Sequence, residues 1–112
     1  MSSLKGLNAL ITGSAKRLGK DIAIHLAKEG VNLALHYNTS EKEVNELNSD
    51  LQAYSIETVI IKKDLNEPNA GEQLFHLAIE KLKTIDILIN NASIFPTQDI
   101  KTFSYEDLIS SI

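Results

Sequence analysis

Short apolar runs alternate with amphipathic stretches along this chain. The apolar runs cover residues 7–12, 31–36, 58–62 and 85–90. Such short, nearly continuous runs are typical of strands that are buried on both faces of a parallel sheet. Between them, apolar residues recur at helical spacing. The pattern predicts strands alternating with helices, which indicates βαβ units and an α/β fold.

The predicted helices carry recognisable start and stop signals. Gly30 follows the first helical stripe and suits the position just after a helix end. Ser40 with Glu43 has the spacing of a capping box, and Pro68 suits the first turn of the third helix. The inward faces predicted for the three helices consist of Leu18, Ile22, Ala23, Leu26, Ala27, Val44, Leu47, Leu51, Leu74, Leu77, Ala78 and Leu82.

Right-handed crossovers place the first two helices on one face of the sheet and the third on the other, with strand order 3-2-1-4. The predicted fold is therefore a Rossmann-type, doubly wound parallel sheet. Its last strand is apolar on both faces, and only a helix start at Ser104 and Asp107 follows it. Because a bare apolar edge favours aggregation, we interpret residues 1–112 as the N-terminal half of a single dinucleotide-binding domain, incomplete at its C-terminal side.

In such a sheet, ligands bind where the strand order reverses, at the carboxyl ends of the first and fourth strands. The segments TGSAKRLG (residues 12–19) and NNASIF (residues 90–95) lie at these two strand ends. Backbone N–H groups and the positive end of a helix dipole in the first segment suit a phosphate, and its glycines permit close approach. The alternative is an ordinary strand–helix junction whose glycines serve packing.

The charge and composition of the chain limit the classes of partner that it can bind. The net charge of -4 argues against nucleic acid and anionic membranes, whereas Lys16, Arg17 and Lys20 form a local basic cluster that implies an anion. No apolar run approaches the roughly 20 residues of a membrane span. The chain has no cysteine, and no metal site is suggested. We expect a cytoplasmic protein whose redox chemistry, if any, belongs to a cofactor.

The segment after the second strand indicates the type of nucleotide. A fold that prefers NAD usually carries an acidic residue there, but HYNTS (residues 36–40) has none. Arg17, with side chains of residues 38–40, could instead hold a 2′-phosphate, which favours NADPH over NADH. Two simpler interpretations stay open: Ser40 only caps the next helix, and Arg17 is a solvated surface charge.

Further candidates follow the third and fourth strands. Asp64 could bond the adenine amino group while the Leu65 N–H contacts a ring nitrogen, or Asp64 could be a simple turn residue. Asn91 and its neighbour Asn90 either brace the nearby turn or touch the ligand. Phe95 either stacks on a flat ring or plugs an apolar gap.

TGSAKRLG followed by NNAS resembles the short-chain dehydrogenase/reductase family, whose usual turn is TGxxxGxG, with Arg17 in place of the middle glycine. HYNTS and NNASIFPT resemble the pteridine reductase branch, which has TGAAKRLG, HYHRS and NNASSFYPT. The resemblance implies that Arg17, His36 and Ser40 bind the 2′-phosphate. Thr39 stands where the branch often has an arginine, which implies weaker binding of the 2′-phosphate. Ser93 and Phe95 would line the pterin site.

The resemblance also implies hydride transfer from NADPH to a C=N or C=O group, with a tyrosine and a lysine spaced YxxxK. Tyr37, Tyr54 and Tyr105 have no lysine at that spacing. The catalytic tyrosine, lysine and serine would lie beyond residue 112, so this chain alone should be inactive. The resemblance also implies that the complete protein is a homotetramer. The alternatives are a 3-ketoacyl reductase or sugar dehydrogenase of the same family, and a truncated, non-catalytic nucleotide-binding module.

These considerations predict an NADP(H) site and a small-molecule substrate, with no catalytic residue within the chain. Ser93 and Phe95 are the predicted substrate-binding residues. The predicted cofactor-binding residues are Gly13, Ser14, Lys16, Arg17, Leu18, Gly19, His36, Tyr37, Asn38, Thr39, Ser40, Asp64, Leu65, Asn91, Ala92 and Ser93.

Overall fold

The computed structural model describes residues 4–92, in which four strands alternate with three helices. All strands pair in parallel, in the order β3-β2-β1-β4. The predicted fold class and strand order are therefore confirmed. No helix in this part of the chain is long and apolar enough to cross a membrane. The elements are β1 (Asn8–Ile11), α1 (Arg17–Lys28), β2 (Asn32–Tyr37), α2 (Glu41–Leu51), β3 (Thr58–Lys62), α3 (Ala70–Leu82) and β4 (Ile87–Ile89).

Helices cover both faces of the sheet, which explains why its strands are continuously apolar. Leu10 aligns with Ala34 on one side and with Leu88 on the other. These three side chains belong to the buried cluster that α3 covers. The residues that alternate with them, such as Ile11 and Leu35, belong to the cluster covered by α1 and α2. The predicted distribution of helices over the two faces is confirmed.

Strand boundaries follow local hydrogen bonds. Strand β3 coincides with its prediction, whereas β4 is shorter than the predicted 85–90. Before β4, the Asp86 carboxylate replaces a backbone carbonyl as the acceptor of the Asn8 N–H, at 2.9 Å. After β4, the N–H of Asn91 turns back to the Ile89 carbonyl at 3.0 Å. The N–H groups of Asn8 and Asn91 therefore take no part in the β1–β4 ladder, although the Asp86 N–H still donates to the Asn8 carbonyl at 2.8 Å.

The predicted start of α2 at Ser40 is confirmed, although without its capping bond, whereas the predicted start of α3 at Pro68 is wrong. Ser40 precedes α2, but its side chain makes no capping bond, because its backbone (φ -85°, ψ 57°) lacks the extended conformation of a typical N-cap residue. Pro68 lies ahead of α3 and outside it, because Asn69 adopts a left-handed conformation (φ 59°) before the helix begins. The helix start predicted at Ser104 and Asp107 lies outside the described residues.

One member of the predicted inward stripe is also wrong. Leu18 is 46% exposed, and the buried face of α1 consists of Gly19, Ile22, Ala23, Leu26 and Ala27. Consecutive helical residues point about 100° apart, so when Gly19 faces inward, Leu18 turns outward. Leu18 therefore lies at the carboxyl edge of the sheet without contributing to the core.

A chain of polar side chains ties the amino edge of the sheet together. The Asn8 side-chain amide donates to the carbonyls of Leu82 and Thr84, both at 3.1 Å, and so satisfies the carboxyl end of α3. Its Oδ1 accepts a bond from the Asn32 amide at 2.9 Å, and Asn32 Oδ1 accepts the Glu57 N–H at 2.8 Å. One asparagine thus connects β1, β2 and α3.

We expect Asn8→Ala to lower the free energy of unfolding by about 1–3 kcal/mol, because it leaves several partly buried polar groups without a partner. Asn45→Ala, on the exposed face of α2, is the control and should change the free energy by less than about 0.5 kcal/mol. Urea denaturation monitored by circular dichroism measures both. Equal effects of the two substitutions would show that the polar chain does not stabilise the fold.

Candidate functional site

The carboxyl ends of the strands open into a cleft of about 260 Å³. It lies between the turn after β1, the segment after β2, the loop after β3 and the segment after β4. The sheet therefore brings the predicted segments together at one edge, as the strand reversal requires. The cleft is lined by Gly13, Ala15, Lys16, His36, Tyr37, Asn38, Thr39, Ser40, Leu65, Asn66 and Ala92.

Two glycines shape the turn after β1. Gly13 has a φ of +62°, a conformation that side chains with a Cβ rarely adopt. A Cβ on Gly19 would lie 2.6 Å from the Gly13 carbonyl oxygen and 2.8 Å from Ser14 Cα. Gly19 thus lets the first turn of α1 pack directly on the turn after β1. This packing brings the amino end of α1 to the wall of the cleft.

The turn is braced from behind by the end of β2. The Gly13 N–H donates to His36 Nδ1 at 2.9 Å, while the Ser14 N–H and hydroxyl both donate to the His36 carbonyl, at 2.9 and 2.8 Å. Ser14 is fully buried, and His36 is 1% exposed. Both residues therefore hold the backbone of the turn. The hydroxyl of Ser14 is used in this contact with the His36 carbonyl.

The segment after β4 braces the other side of the turn. The Asn91 amide donates to the Gly13 carbonyl at 3.2 Å, which supports the interpretation that Asn91 braces the turn. Buried Thr12 accepts the Ala92 N–H on its hydroxyl at 2.9 Å. Thr12 was absent from the predicted set, although its position between a buried strand and a glycine turn is a signal for such a role.

The amino end of α1 has the features of an anion site. Lys16 occupies the N-cap position without a side-chain capping bond, and the first turn of the helix has no acidic residue. The first N–H groups of a helix have no partner within the helix, and the helix dipole adds partial positive charge there. Lys16 and Arg17 are exposed at this end, and the Lys16 side chain lines the cleft.

The segment after β2 provides the second wall. Tyr37 is buried, and its hydroxyl donates to Glu41 Oε1 at 3.3 Å. Burial, reinforced by the Glu41 carboxylate, raises the pKa of Tyr37, so the phenol stays neutral and remains a donor. Asn38 and Thr39 are exposed in the cleft. No carboxylate is present among the lining residues of the described chain.

The loop after β3 forms the third wall. Asp64 Oδ1 accepts the Asn66 N–H at 2.9 Å, which is the geometry of an Asx turn. This contact supports the simpler interpretation of Asp64 as a turn residue. Leu65 and Asn66 line the cleft, whereas Asp64 does not. The pattern missed Asn66, although its place just after two candidates at the same edge was a usable signal.

The cleft divides the predicted cofactor residues into two groups. Those that line it are Gly13, Lys16, His36, Tyr37, Asn38, Thr39, Ser40, Leu65 and Ala92, together with the unpredicted Ala15 and Asn66. Those described residues that do not line it are Ser14, Arg17, Leu18, Gly19, Asp64 and Asn91. Ser14, Gly19 and Asn91 support the turn through the contacts above. Ser93 and Phe95 lie outside the described residues.

We expect Gly19→Ala to disrupt the turn. Alanine favours a helix by about 1 kcal/mol over glycine, but the new Cβ would meet backbone atoms that have no flexible side chain to move aside. The substitution should lower the melting temperature and weaken NADP⁺ binding by at least about tenfold. Thermal melts and calorimetric titration measure both.

Gly71→Ala is the matched control, since Gly71 lies in α3 and does not line the cleft. It should leave NADP⁺ affinity unchanged. Wild-type affinity in Gly19→Ala would contradict the packing argument.

Comparison with known proteins places this geometry in a family. The family model for short chain dehydrogenases matches residues 7–112. An L-rhamnose 1-dehydrogenase (NADP(+)) of Thermoplasma acidophilum is 32% identical over 106 residues, which cover 95% of this chain and 42% of that protein. A 3-oxoacyl-acyl-carrier-protein reductase of Staphylococcus epidermidis is 27% identical, with 93% and 44% covered.

A solved structure is also similar to this chain. A dehydrogenase from Burkholderia cenocepacia, solved with bound NADP, superposes with a TM-score of 0.72 at 35% identity and covers 77% of this chain and 34% of that one. The chain thus spans less than half the length of these relatives. The family match over residues 7–112, together with the strand order and the cleft at its reversal point, shows that this chain belongs to the short-chain dehydrogenase/reductase family.

Proposed function

We propose that residues 1–112 form the NADP(H)-binding half of a short-chain oxidoreductase. One observation carries the proposal: the cleft at the strand reversal is lined by cationic Lys16 and by no carboxylate within the described residues. A carboxylate at this position would repel a 2′-phosphate, whereas a lysine and hydroxyl groups attract one. The NADP named for the rhamnose dehydrogenase and for the Burkholderia structure supports the same cofactor.

The residues around the cleft fit the phosphates and the base of NADP(H). The first N–H groups of α1, which have no partner within the helix, together with the helix dipole and Lys16, suit a phosphate. Asn38, Thr39 and Ser40 offer amide and hydroxyl groups at the second wall, and exposed Arg17 adds a cation nearby. Leu65 and Asn66 provide the third wall, which suits a base. When bound, the dinucleotide supplies or accepts a hydride.

The substrate we propose is a small molecule with a carbonyl group or the corresponding alcohol. The relatives support this class, since they include a sugar dehydrogenase, a 3-oxoacyl reductase and hydroxynaphthalene reductase-like proteins. A pterin or dihydrofolate is the second candidate. Arg17 in the turn and the NNASIF segment favour it, with Ser93 and Phe95 as the proposed substrate contacts.

We further propose that the catalytic tyrosine, lysine and serine belong to a longer protein of which this chain is the nucleotide-binding half. The coverage of less than half of each relative supports this arrangement. In this proposal the isolated chain is inactive and the complete protein is a cytoplasmic homotetramer. A non-catalytic nucleotide-binding module is the alternative, and an absence of YxxxK downstream of Ile112 in the gene would favour it.

Cofactor preference tests the proposal. We expect NADP⁺ to raise the melting temperature of the complete protein more than NAD⁺ does, because the cleft attracts the 2′-phosphate. Arg17 does not line the cleft but is exposed beside Lys16, and one charge-assisted bond from it to the 2′-phosphate would contribute about 1.5–3 kcal/mol, a preference of about 10- to 100-fold. Arg17→Ala should remove most of that difference in a thermal-shift assay.

Lys28→Ala is the matched control, because Lys28 lies in the last turn of the same helix, away from the cleft. It should keep the preference for NADP⁺. Equal shifts with both nucleotides in the wild type would overturn the 2′-phosphate argument.

Substrate class has its own test. We expect the complete protein to oxidise NADPH in the presence of members of a panel of ketones, 3-oxoacyl thioesters and sugar lactones, monitored at the nicotinamide absorbance. Dihydrobiopterin and dihydrofolate belong in the same panel. Turnover of the pterins alone would favour the second candidate, and turnover of none of these compounds would contradict a reductase.

A further inference from the structure

We propose that His36 is a positioning residue that fixes the phosphate-binding turn by accepting the Gly13 N–H on Nδ1, and that it does not itself bind phosphate. The inference rests on the proposed NADP(H) site. It differs from the role that the family resemblance implies for this residue, which is direct contact with the 2′-phosphate.

The hydrogen bonds around the ring determine its tautomer. Nδ1 lies 2.9 Å from the Gly13 nitrogen, which can only donate, so Nδ1 must carry the lone pair. Nε2 lies 3.0 Å from the Lys63 carbonyl, which can only accept, so Nε2 must carry the proton. The neutral ring therefore connects the turn after β1, the end of β2 and the residue after β3.

This arrangement leaves His36 without a donor for an anion. The single N–H of the neutral ring is already donated to Lys63, and the side chain is almost completely buried. Its carbonyl accepts both bonds from Ser14. Although His36 lines the cleft, its polar atoms are engaged with the protein. The ring nitrogens therefore influence a bound phosphate through the Gly13 N–H.

A second proton would break this arrangement. Imidazolium carries N–H groups on both nitrogens, so Nδ1–H would face the Gly13 N–H at a hydrogen-bonding distance. Burial lowers the pKa of His36, the Lys63 carbonyl opposes this, and the charge of Lys16 on the turn lowers the pKa further. The ammonium group of Lys63, the residue whose carbonyl bonds to Nε2, pairs with Glu67 at 3.3 Å.

The consequence has a definite sign. The pKa of His36 is lowered in the folded state. Its contribution to stability is therefore fully present at a pH above 6.5, the ordinary pKa of histidine, and is lost as the pH falls through the folded-state pKa. NADP⁺ affinity should therefore fall with acidification if His36 holds the turn. If His36 bound phosphate directly, protonation would add a cation and affinity should rise.

Two isosteric variants separate the two nitrogens. His36→Asn retains a δ-position acceptor for the Gly13 N–H, whereas His36→Gln places its amide only near the Nε2 position and leaves Gly13 without an acceptor. Calorimetric titration of the complete protein with NADP⁺ near neutral pH should show a loss of less than about threefold for His36→Asn and about tenfold or more for His36→Gln. Equal losses, or a larger loss for His36→Asn, would overturn the proposal.

The pH dependence of NADP⁺ affinity distinguishes this role of His36 from a contribution to folding alone. As the pH falls from about 8 through the lowered pKa of His36, wild-type NADP⁺ affinity should fall more steeply than that of His36→Asn, which lacks the titrating ring but shares the titration of the nucleotide phosphate. An affinity that falls less steeply in the wild type than in His36→Asn, or by the same amount, would overturn the proposal.

Nitrogen-15 NMR of the nucleotide-free protein tests the contact even if neither variant folds. We expect the Nε2–H tautomer for His36 and slow exchange of the Gly13 amide. An Nδ1–H tautomer would overturn the proposal. If the wild type does not bind NADP⁺ at all, the proposed function fails, whereas these NMR signals still show whether His36 holds the turn.

Discussion

At Gly19, the first turn of α1 packs on the backbone of Gly13 and Ser14 at distances that exclude a Cβ. This contact places the amino end of the helix at the point where the strand order reverses. The turn is then held by His36 on one side and by Asn91 on the other. A rigid turn matters because a nucleotide that binds a preformed site does not have to order it.

The two edges of the sheet use polar groups in different ways. At the amino edge, Asn8 and Asn32 bond to one another and to the backbone, so their polar groups stabilise the fold. At the carboxyl edge, the buried groups brace the backbone, while Lys16, Asn38 and Thr39 extend into the cleft. Binding chemistry is thereby confined to one edge, as expected where helices begin and strands end.

Periodicity and crossover handedness were sufficient to predict the parallel sheet, its strand order and the segments that form the site, because each depends on burial and chain connectivity. Side-chain direction was harder to predict. Ser40 matched a capping pattern but has the wrong backbone conformation, and Leu18 matched the helical stripe but turns outward beside Gly19. The bracing role of His36 depends on contacts across more than 20 residues of sequence, which no local pattern contains.

The central claim, that the carboxyl-edge cleft binds a dinucleotide, is tested most directly by mapping amide chemical shifts in nitrogen-15-labelled complete protein titrated with NADP⁺. The account predicts the largest changes at Gly13, Lys16, Thr39 and Leu65, with Asn8 at the opposite edge unchanged. Changes centred on the amino edge, or no changes at saturating nucleotide, would contradict it.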